Sequence, residues 1–437
     1  MNKTKWRTSW KERISYGLSD AADNLVFQMM TTYLLFFYTD IFGLKPAQAA
    51  LLFLIARVAD VIESPLVGMM IDRTHSRYGK SRPFFLWFAF PYVVAAVLTF
   101  VTPNFSAGGK LVWAYATYLS LGFFYSTVNL PVTSVLPTLS DNDRELTLLG
   151  VIRQFFGSSV QIFVAVATLP LVQFFGKGNE QRGFLWTIIL FGLISLVLIL
   201  NTFFHIKERF TQPAIAHQPF RKIFKAAFAN KPWLLFSVII FLFWLVTAIK
   251  NQTTVYYFKY VFHDQNLVAR ANIFTFSSLI GVLLIIRIAN RCGNKRTMMS
   301  GMWIALCGQI ILTAGSLLHS LPLLYAAITI NCIGQGMIVG LISIMIADLI
   351  RYGITLGVQA EGVFSSASDF GVNLGLGIGG LITAGLFDLS GYRANHLQNA
   401  ETLRMIHWNY TWIPLAIYLL MITLFHFYDE RLVKGEK

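Results

Sequence analysis

The sequence predicts an all-α membrane protein with twelve transmembrane helices in two six-helix bundles, and three observations predict it. Of its 437 residues, 55% are hydrophobic and only 13% are charged, with a mean hydropathy of +0.59. A soluble domain carries about 25% charge, so a water-soluble enzyme is excluded. Apolar runs of bilayer-crossing length, about 20 residues each, recur along the whole chain. Basic residues gather in alternate connections between those runs, the distribution that sets orientation in a membrane. A net charge of +14 invites a nucleic-acid partner, but that needs basic residues on one soluble face. Here they sit in short loops, so no nucleic acid is expected and the bilayer is the partner. Thirty-eight Phe, ten Trp and seventeen Tyr also fit lipid and interface contact.

The N-terminus is polar and basic, with Lys3, Lys5, Arg7, Lys11 and Arg13. No small-residue cleavage site follows a short apolar core, so the first long apolar run is a retained span. Polar punctuation places the first six helices near 16–42, 47–71, 83–103, 109–138, 147–174 and 182–206. Six more follow near 232–262, 269–290, 297–318, 322–350, 361–387 and 407–428. With the N-terminus cytoplasmic, inside segments hold roughly 23 of the 35 Lys and Arg, and outside segments and helices together about 12. Both termini then lie inside. The connection 207–231 is the one long internal polar segment, and it separates an N-terminal bundle, 1–206, from a C-terminal bundle, 232–437.

The halves echo each other. Helices two and three are joined by a basic turn holding Asp72, Arg73, Arg77, Gly79, Lys80 and Arg82. Arg291, Gly293, Lys295 and Arg296 stand at the matching place in the second half. Two six-helix bundles with a basic glycine turn after the second helix of each is the pattern of the major facilitator fold. Any inside loop is basic and turns on Gly; the matching position in both halves favours the transporter reading.

Charge inside a span is costly and faces a cavity or a partner. Helix one carries Asp20, Asp23 and Asn24, then Gln28, Thr31 and Thr32; Asp20, Asn24, Gln28 and Thr31 share one face. The plainer reading of Asp20 is an interfacial residue near the cytoplasmic end. Helix two carries Arg57, Asp60, Glu63 and Ser64. Arg57 one turn from Asp60 can neutralise it, and the second carboxylate then binds a cation or takes a proton; the alternative is a purely structural Arg–carboxylate lock. Helix four ends with Tyr125, Asn129 and Pro131. Arg153 on helix five has no carboxylate near it in sequence, and its planar fork can grip two hydroxyls or an anion. In the second half, Lys250 sits mid-helix, and Asp369 and Asn373 form an i,i+4 pair on helix eleven. Cys292, Cys307 and Cys332 show no metal or disulfide spacing. His205, His407 and His426 are scattered near helix ends, with no intramembrane nucleophile or metal constellation, so neither metal nor cofactor is expected.

The chain resembles the glycoside–pentoside–hexuronide:cation symporters, the melibiose carrier family within the major facilitators, over essentially its whole length. The resemblance is strongest at Tyr16-Gly17-Leu-Ser-Asp20-Ala-Ala-Asp-Asn24, Tyr33-Leu-Leu-Phe-Phe-Tyr38-Thr-Asp40 and Arg57-Val-Ala-Asp60. It continues through Asp72-Arg73-Thr-His-Ser-Arg77-Tyr-Gly79-Lys80-Ser-Arg82-Pro83, Asn129-Leu-Pro131, Arg153, Tyr256-Tyr257-Phe258-Lys259-Tyr260 and Ala347-Asp348…Tyr352-Gly353. It implies sugar recognition by helices one, four and five. Asn24 and Asn129 match positions where the melibiose carrier grips its galactosyl group with carboxylates. Arg153 matches its sugar-contacting Arg, and Tyr125 a nearby aromatic. Amides keep hydrogen-bonding capacity without charge, so the hydroxyl pattern recognised differs.

The departures gather at the cation site. The family commonly has two helix-two carboxylates four residues apart. Asp60 matches the first, but Ser64 stands at the second, with Glu63 one place early. That offset turns a side chain by about 100°, setting Glu63 to one side. Asn373 replaces the family's helix-eleven Lys, and Arg351, Ile354 and Gln359 replace other charged positions. Two accounts follow. Asp60, Glu63, Lys250 and Asp369 rebuild the network, with Arg57 and Asp20 assisting, which suits a proton better than sodium. Alternatively coupling is weakened, leaving a facilitator or exchanger.

The expected activity is cation-coupled sugar import, with H⁺ or Na⁺ as coupling ion, by a monomer in the bacterial inner membrane. Sugar enters a midplane cavity by alternating access, meeting Asn24, Gln28, Tyr125, Asn129 and Arg153, with Lys250 and Asn373 from the second half. Asp72, Arg73, Arg77, Arg82, Lys295 and Arg296 form gates that latch on carboxylates at neighbouring helix ends. An anionic substrate (a uronide, a sulfonated sugar or a lysolipid) is the rival, with Arg153 and Lys250 holding its charge.

Overall fold

The structure, a computed structural model, describes residues 7–210, 231–355 and 361–428. Side chains over 350–370, Asp369 among them, lie outside the described part. No strand occurs among the described residues. The chain divides into two compact units, Met1–Ile215 and Ala216–Lys437.

Unit 1 holds α1 (Trp10–Phe36, continued by a π-helical segment Phe37–Phe42), α2 (Pro46–Arg73), α3 (Arg82–Thr99), α4 (Ala107–Leu139), α5 (Asp143–Gly176) and α6 (Glu180–His205). Local chemistry sets these boundaries. Ser9, Ser106, Asn142 and Asn179 each accept a hydrogen bond from a first-turn backbone N–H, satisfying donors that a helix start leaves open. Pro46 opens α2, where its missing N–H costs nothing. α1 packs on α5 and α6, α3 on α4 and α6, and α2 on α4. The polar face of α1 is therefore turned toward neighbouring helices, and Asp23 and Asn24 are buried.

Unit 2 holds α7 (Lys231–Tyr256, with a π-helical end Tyr257–Val261) and α8 (Asn266–Ile273, a 3-10 turn Phe274–Phe276, then Ser277–Cys292). α9 (Asn294–Leu317), α10 (Leu321–Thr355), α11 (Glu361–Leu389) and α12 (Ala400–Tyr410 and Trp412–His426) complete it. α10 packs on α8 and α9, and α7 on α11 and α12. Backbones touch where α8 crosses α10: a Cβ on Gly336 would stand 1.9 Å from the Ser278 carbonyl oxygen. Small residues at such crossings replace the hydrophobic drive that lipid does not supply.

Eleven helices among the described residues are long and apolar enough to cross a membrane. The remaining one of the twelve, α2, falls outside that set and carries Arg57, Asp60 and Glu63.

The two boundaries that differ most from the sequence expectation do so for physical reasons. α1 starts at Trp10, not near 16, because its charged first turns find partners: Arg13 pairs with Glu145 at 3.1 Å and Glu12 with Arg209 at 2.6 Å. α12 starts at Ala400, not near 407, and breaks at Thr411. Pro414 offers no N–H to the Tyr410 carbonyl, and Gln309 Nε2 donates to it instead at 3.0 Å.

Candidate functional site

The polar residues of unit 1 form one network around α1. Arg153 Nε on α5 stands 3.8 Å from Asp20 Oδ1. Asn24 Nδ2 donates to the Asp20 carbonyl at 2.7 Å and to Asp20 Oδ2 at 3.2 Å. Its Oδ1 accepts from Gln161 Nε2 at 2.6 Å. Asn129 Nδ2 on α4 donates to Asp23 Oδ2 at 3.2 Å. Phe27 and Tyr125 stack at 5.2 Å, a flat apolar surface of the kind that suits a sugar's C–H face. Gln28 Nε2 donates to Thr32 at 2.7 Å, one turn along α1.

The arrangement brings Asn24, Tyr125, Asn129, Arg153 and Asp20 together. It also joins Asp23, Gln161 and Gly157, which sequence reasoning did not place there. Gly157 faces Asp20 so closely that a Cβ would stand 1.9 Å from Oδ2. Gly157→Ala is expected to push the Asp20 carboxylate off Arg153 and weaken ligand binding at this network about tenfold, roughly 1.4 kcal/mol. Because only a side-chain tip must move, the thermal unfolding midpoint stays near wild type. Binding titration with an unfolding scan checks both; equal affinity in the two proteins rules the contact unimportant.

On α2, Arg57 Nη1 holds Asp60 Oδ2 at 2.9 Å. A Cβ on Gly122 of α4 would lie 3.6 Å from Asp60 Oδ1 and 3.7 Å from Glu63 Oε2. Glu63 therefore reaches the same point on α4 as Asp60 rather than lying to one side, because residues three apart share a helix face. Its Oε2 is buried with no hydrogen-bond partner.

Lys250 in α7 donates to Asn331 Oδ1 at 2.6 Å and to Gln309 Oε1 at 3.0 Å. Gln335 Nε2 joins at Asn331 Oδ1, at 2.8 Å. The ammonium thus ties α7 to α9 and α10 through amides. Asn373 is half-buried and makes no side-chain hydrogen bond among the described residues. Asp369 lies outside the described side chains.

At the end of unit 1 that carries the N-terminus, the basic turn engages a carboxylate through its backbone. Glu208 accepts from the N–H groups of Lys80, Ser81 and Arg82 at 2.9, 2.9 and 2.8 Å. The Arg82 guanidinium donates to the Phe203 carbonyl at 2.8 Å, and Arg77 donates to the Tyr78 hydroxyl at 2.5 Å. Asp72 and Arg73 are exposed and form no ion pair among the described residues. In unit 2, Lys295 reaches the His426 carbonyl at 3.4 Å, Arg296 is exposed, and Asn294 donates to Asp348 at 3.0 Å.

Beside that turn, Glu145 is fully buried and accepts from Arg13, the Arg7 and Thr8 backbone N–H groups, the Thr8 hydroxyl and Ser140. Neighbouring Asp141 is held below the usual carboxylate range, first by its hydrogen bond from Arg7. Glu145→Ala leaves the Arg13 guanidinium buried without its carboxylate, a loss of about 3–5 kcal/mol. A large fall in the unfolding midpoint in detergent is expected; an unchanged midpoint contradicts the assignment.

Residues 15–429 match the MFS/sugar transport protein family. The isoprimeverose transporter of Lactiplantibacillus pentosus is 41% identical over 411 residues, 93% of this chain and 86% of that protein. The glucuronide carrier protein homolog of Escherichia coli (strain K12) is 30% identical over 430 residues, covering 96% and 92%. The putative glycoside/cation symporter YagG of the same organism is 29% identical over 429 residues, covering 96% and 93%. The crystal structure of the nucleoside transporter NupG superposes with a TM-score of 0.64 at 17% identity, covering 94% of this chain and 99% of that one. A bacterial homologue of the human lysosomal transporter Spinster gives a TM-score of 0.67 at 11% identity, covering 98% and 96%. Those two likenesses show the fold. Matched by one family from the first turns of α1 to the end of α12, this chain belongs to the MFS/sugar transport proteins and is a multi-pass secondary carrier of sugars rather than an enzyme.

Proposed function

We propose that this carrier imports a neutral sugar or glycoside across the bacterial inner membrane by alternating access, in symport with a proton. Isoprimeverose is the first substrate to test, since the transporter named for it shares 41% identity. The observation that carries the neutral substrate is the pairing of Arg153 with Asp20 at 3.8 Å. The guanidinium charge is already answered by Asp20, and a planar guanidinium suits hydroxyls as well as anions. Asn129, whose Oδ1 accepts nothing among the described residues, supplies an acceptor, and the Phe27–Tyr125 stack supplies a platform. Asn24, saturated by Asp20 and Gln161, positions the pocket. Asp60 and Glu63, with one cation between them in Arg57, carry the coupling proton. The basic inside loops support cytoplasmic termini, and a single chain holding both six-helix units supports a monomer.

A second reading, an anionic sugar, is favoured by Lys250, whose charge is answered only by amide oxygens among the described residues. Counterflow in proteoliposomes separates the two. With labelled isoprimeverose as the exchanging sugar, neutral glycosides are expected to compete and a glucuronide is not. Competition by the glucuronide alone turns the assignment to the second reading.

A further inference from the structure

Asp23 is a carboxyl that the proposed function leaves without a task. It is 1% exposed, yet only one of its oxygens is answered. Oδ2 accepts from Asn129 Nδ2 at 3.2 Å, while Oδ1 is buried with no hydrogen-bond partner. Two other buried carboxylates of unit 1 are treated differently: Glu12 is held by Arg209, and Glu145 by Arg13 and four further donors.

The groups facing Asp23 come from four helices. Asp20 lies one turn away on α1, Arg153 comes from α5, and Asn129 and Tyr125 come from α4. Tyr92 of α3 donates to the Asp23 backbone carbonyl at 3.3 Å, not to its carboxyl. Behind them, Ser195 of α6 donates to the Ala22 carbonyl at 2.9 Å. Arg153 is the one cation among these groups, and it stands against Asp20. Two carboxyls therefore share one guanidinium. With both ionised, the pocket holds an uncompensated negative charge inside the membrane, an arrangement that is strongly disfavoured. One proton restores neutrality. Asp20 has the guanidinium, so the place for that proton is the unanswered oxygen of Asp23.

We propose that Asp23 is a proton-binding site within the sugar pocket, and that its proton is what makes the pocket competent for sugar. The proposal rests on the reading of that pocket as the sugar site. Its chemistry runs through Asn129. An ionised Asp23 takes a charge-assisted hydrogen bond from Asn129, about twice as strong as a neutral one, and competes with Asp20 for Arg153. A protonated Asp23 holds Asn129 more loosely and leaves Arg153 to Asp20 and the substrate. Proton and sugar then bind together, and each raises the other's affinity by the same factor.

The test is isoprimeverose binding to the purified full-length carrier across a pH series, in wild type, Asp23→Asn and Glu63→Gln. Wild-type affinity is expected to fall with rising pH, approaching about tenfold per unit above the titration. Asp23→Asn mimics the protonated form and is expected to bind at all pH values with the wild type's low-pH affinity. Glu63→Gln removes the carboxyl on α2 rather than the one in the pocket and is expected to flatten the profile less than Asp23→Asn does; the reverse order overturns the proposal. A folded Asp23→Asn that retains the wild-type profile, or that binds no sugar at any pH, overturns the proposal. If Asp23→Asn does not fold, Asp23→Glu serves, and an unmoved midpoint overturns it equally. Infrared spectroscopy reads the proton without sugar: wild type shows a protonated-carboxyl band that the Asp23 variant removes or shifts. A band that is the same in both contradicts the proton site. A wild type that shows the Asp23 band but binds neither isoprimeverose nor any other glycoside tells against the sugar reading instead.

Discussion

Arg153→Ala is expected to lower transport at least a hundredfold. Two losses combine. The five-donor fork is the strongest hydroxyl-binding group in the pocket, and Asp20, 3.8 Å from it, is left as a carboxylate without its cation. Removing one partner of a fully buried pair costs about 3–5 kcal/mol; this pair is only partly buried, so the broken pair and the lost hydroxyl bonds together are expected to cost about 3 kcal/mol, roughly two orders of magnitude in an equilibrium constant. Arg153→Lys separates the contributions. It keeps the charge opposite Asp20 but loses the planar fork, so normal folding with about tenfold weaker sugar binding is expected. Pairing Asp20→Asn with Arg153→Gln restores neutrality and is expected to restore stability but not transport. Counterflow and unfolding measured on the same preparations check this; wild-type counterflow in Arg153→Ala removes Arg153 from the site.

Asp60→Asn and Glu63→Gln are expected to abolish accumulation while sparing exchange. Both carboxyls converge on Gly122 of α4, and Arg57 balances only one charge. The other has to find a proton or an ion in a low-dielectric setting. A driving potential of 100 mV supplies about 2.3 kcal/mol per charge, enough for roughly fiftyfold accumulation in wild type. Either variant is expected to bring that ratio to about one, with counterflow within a few-fold of wild type, because neither side chain joins the network around Arg153. Loss of counterflow together with accumulation places α2 in sugar binding instead.

The helices are legible in the sequence because hydropathy is a local property, and charge in the loops extends the reading to two six-helix halves. Hydropathy misplaces the start of α1 because Glu12 and Arg13 look like loop residues until Arg209 and Glu145 are brought to them. The break in α12 depends on Pro414, which is visible, and on Gln309 about a hundred residues away, which sequence does not mark as its partner. Within the pocket, Asn24, Asn129 and Arg153 stand out as polar groups in apolar runs. Asp23 stands out too but gains no role from sequence, since which of two neighbouring carboxyls receives the guanidinium is decided by α5. Gly157 carries no chemical signal of its own; its meaning is the Asp20 oxygen that occupies the space of its missing side chain. Glu208 escapes notice because the basic turn grips it with backbone N–H groups rather than with arginines.

The most direct test of sugar–proton symport is uptake of labelled isoprimeverose by proteoliposomes holding the wild-type carrier, with proton and sodium gradients imposed separately. The account predicts accumulation above equilibrium under the proton gradient and simple equilibration under the sodium gradient. Uptake that only equilibrates under both contradicts it, and makes the protein a facilitator in which Asp60 and Glu63 no longer couple.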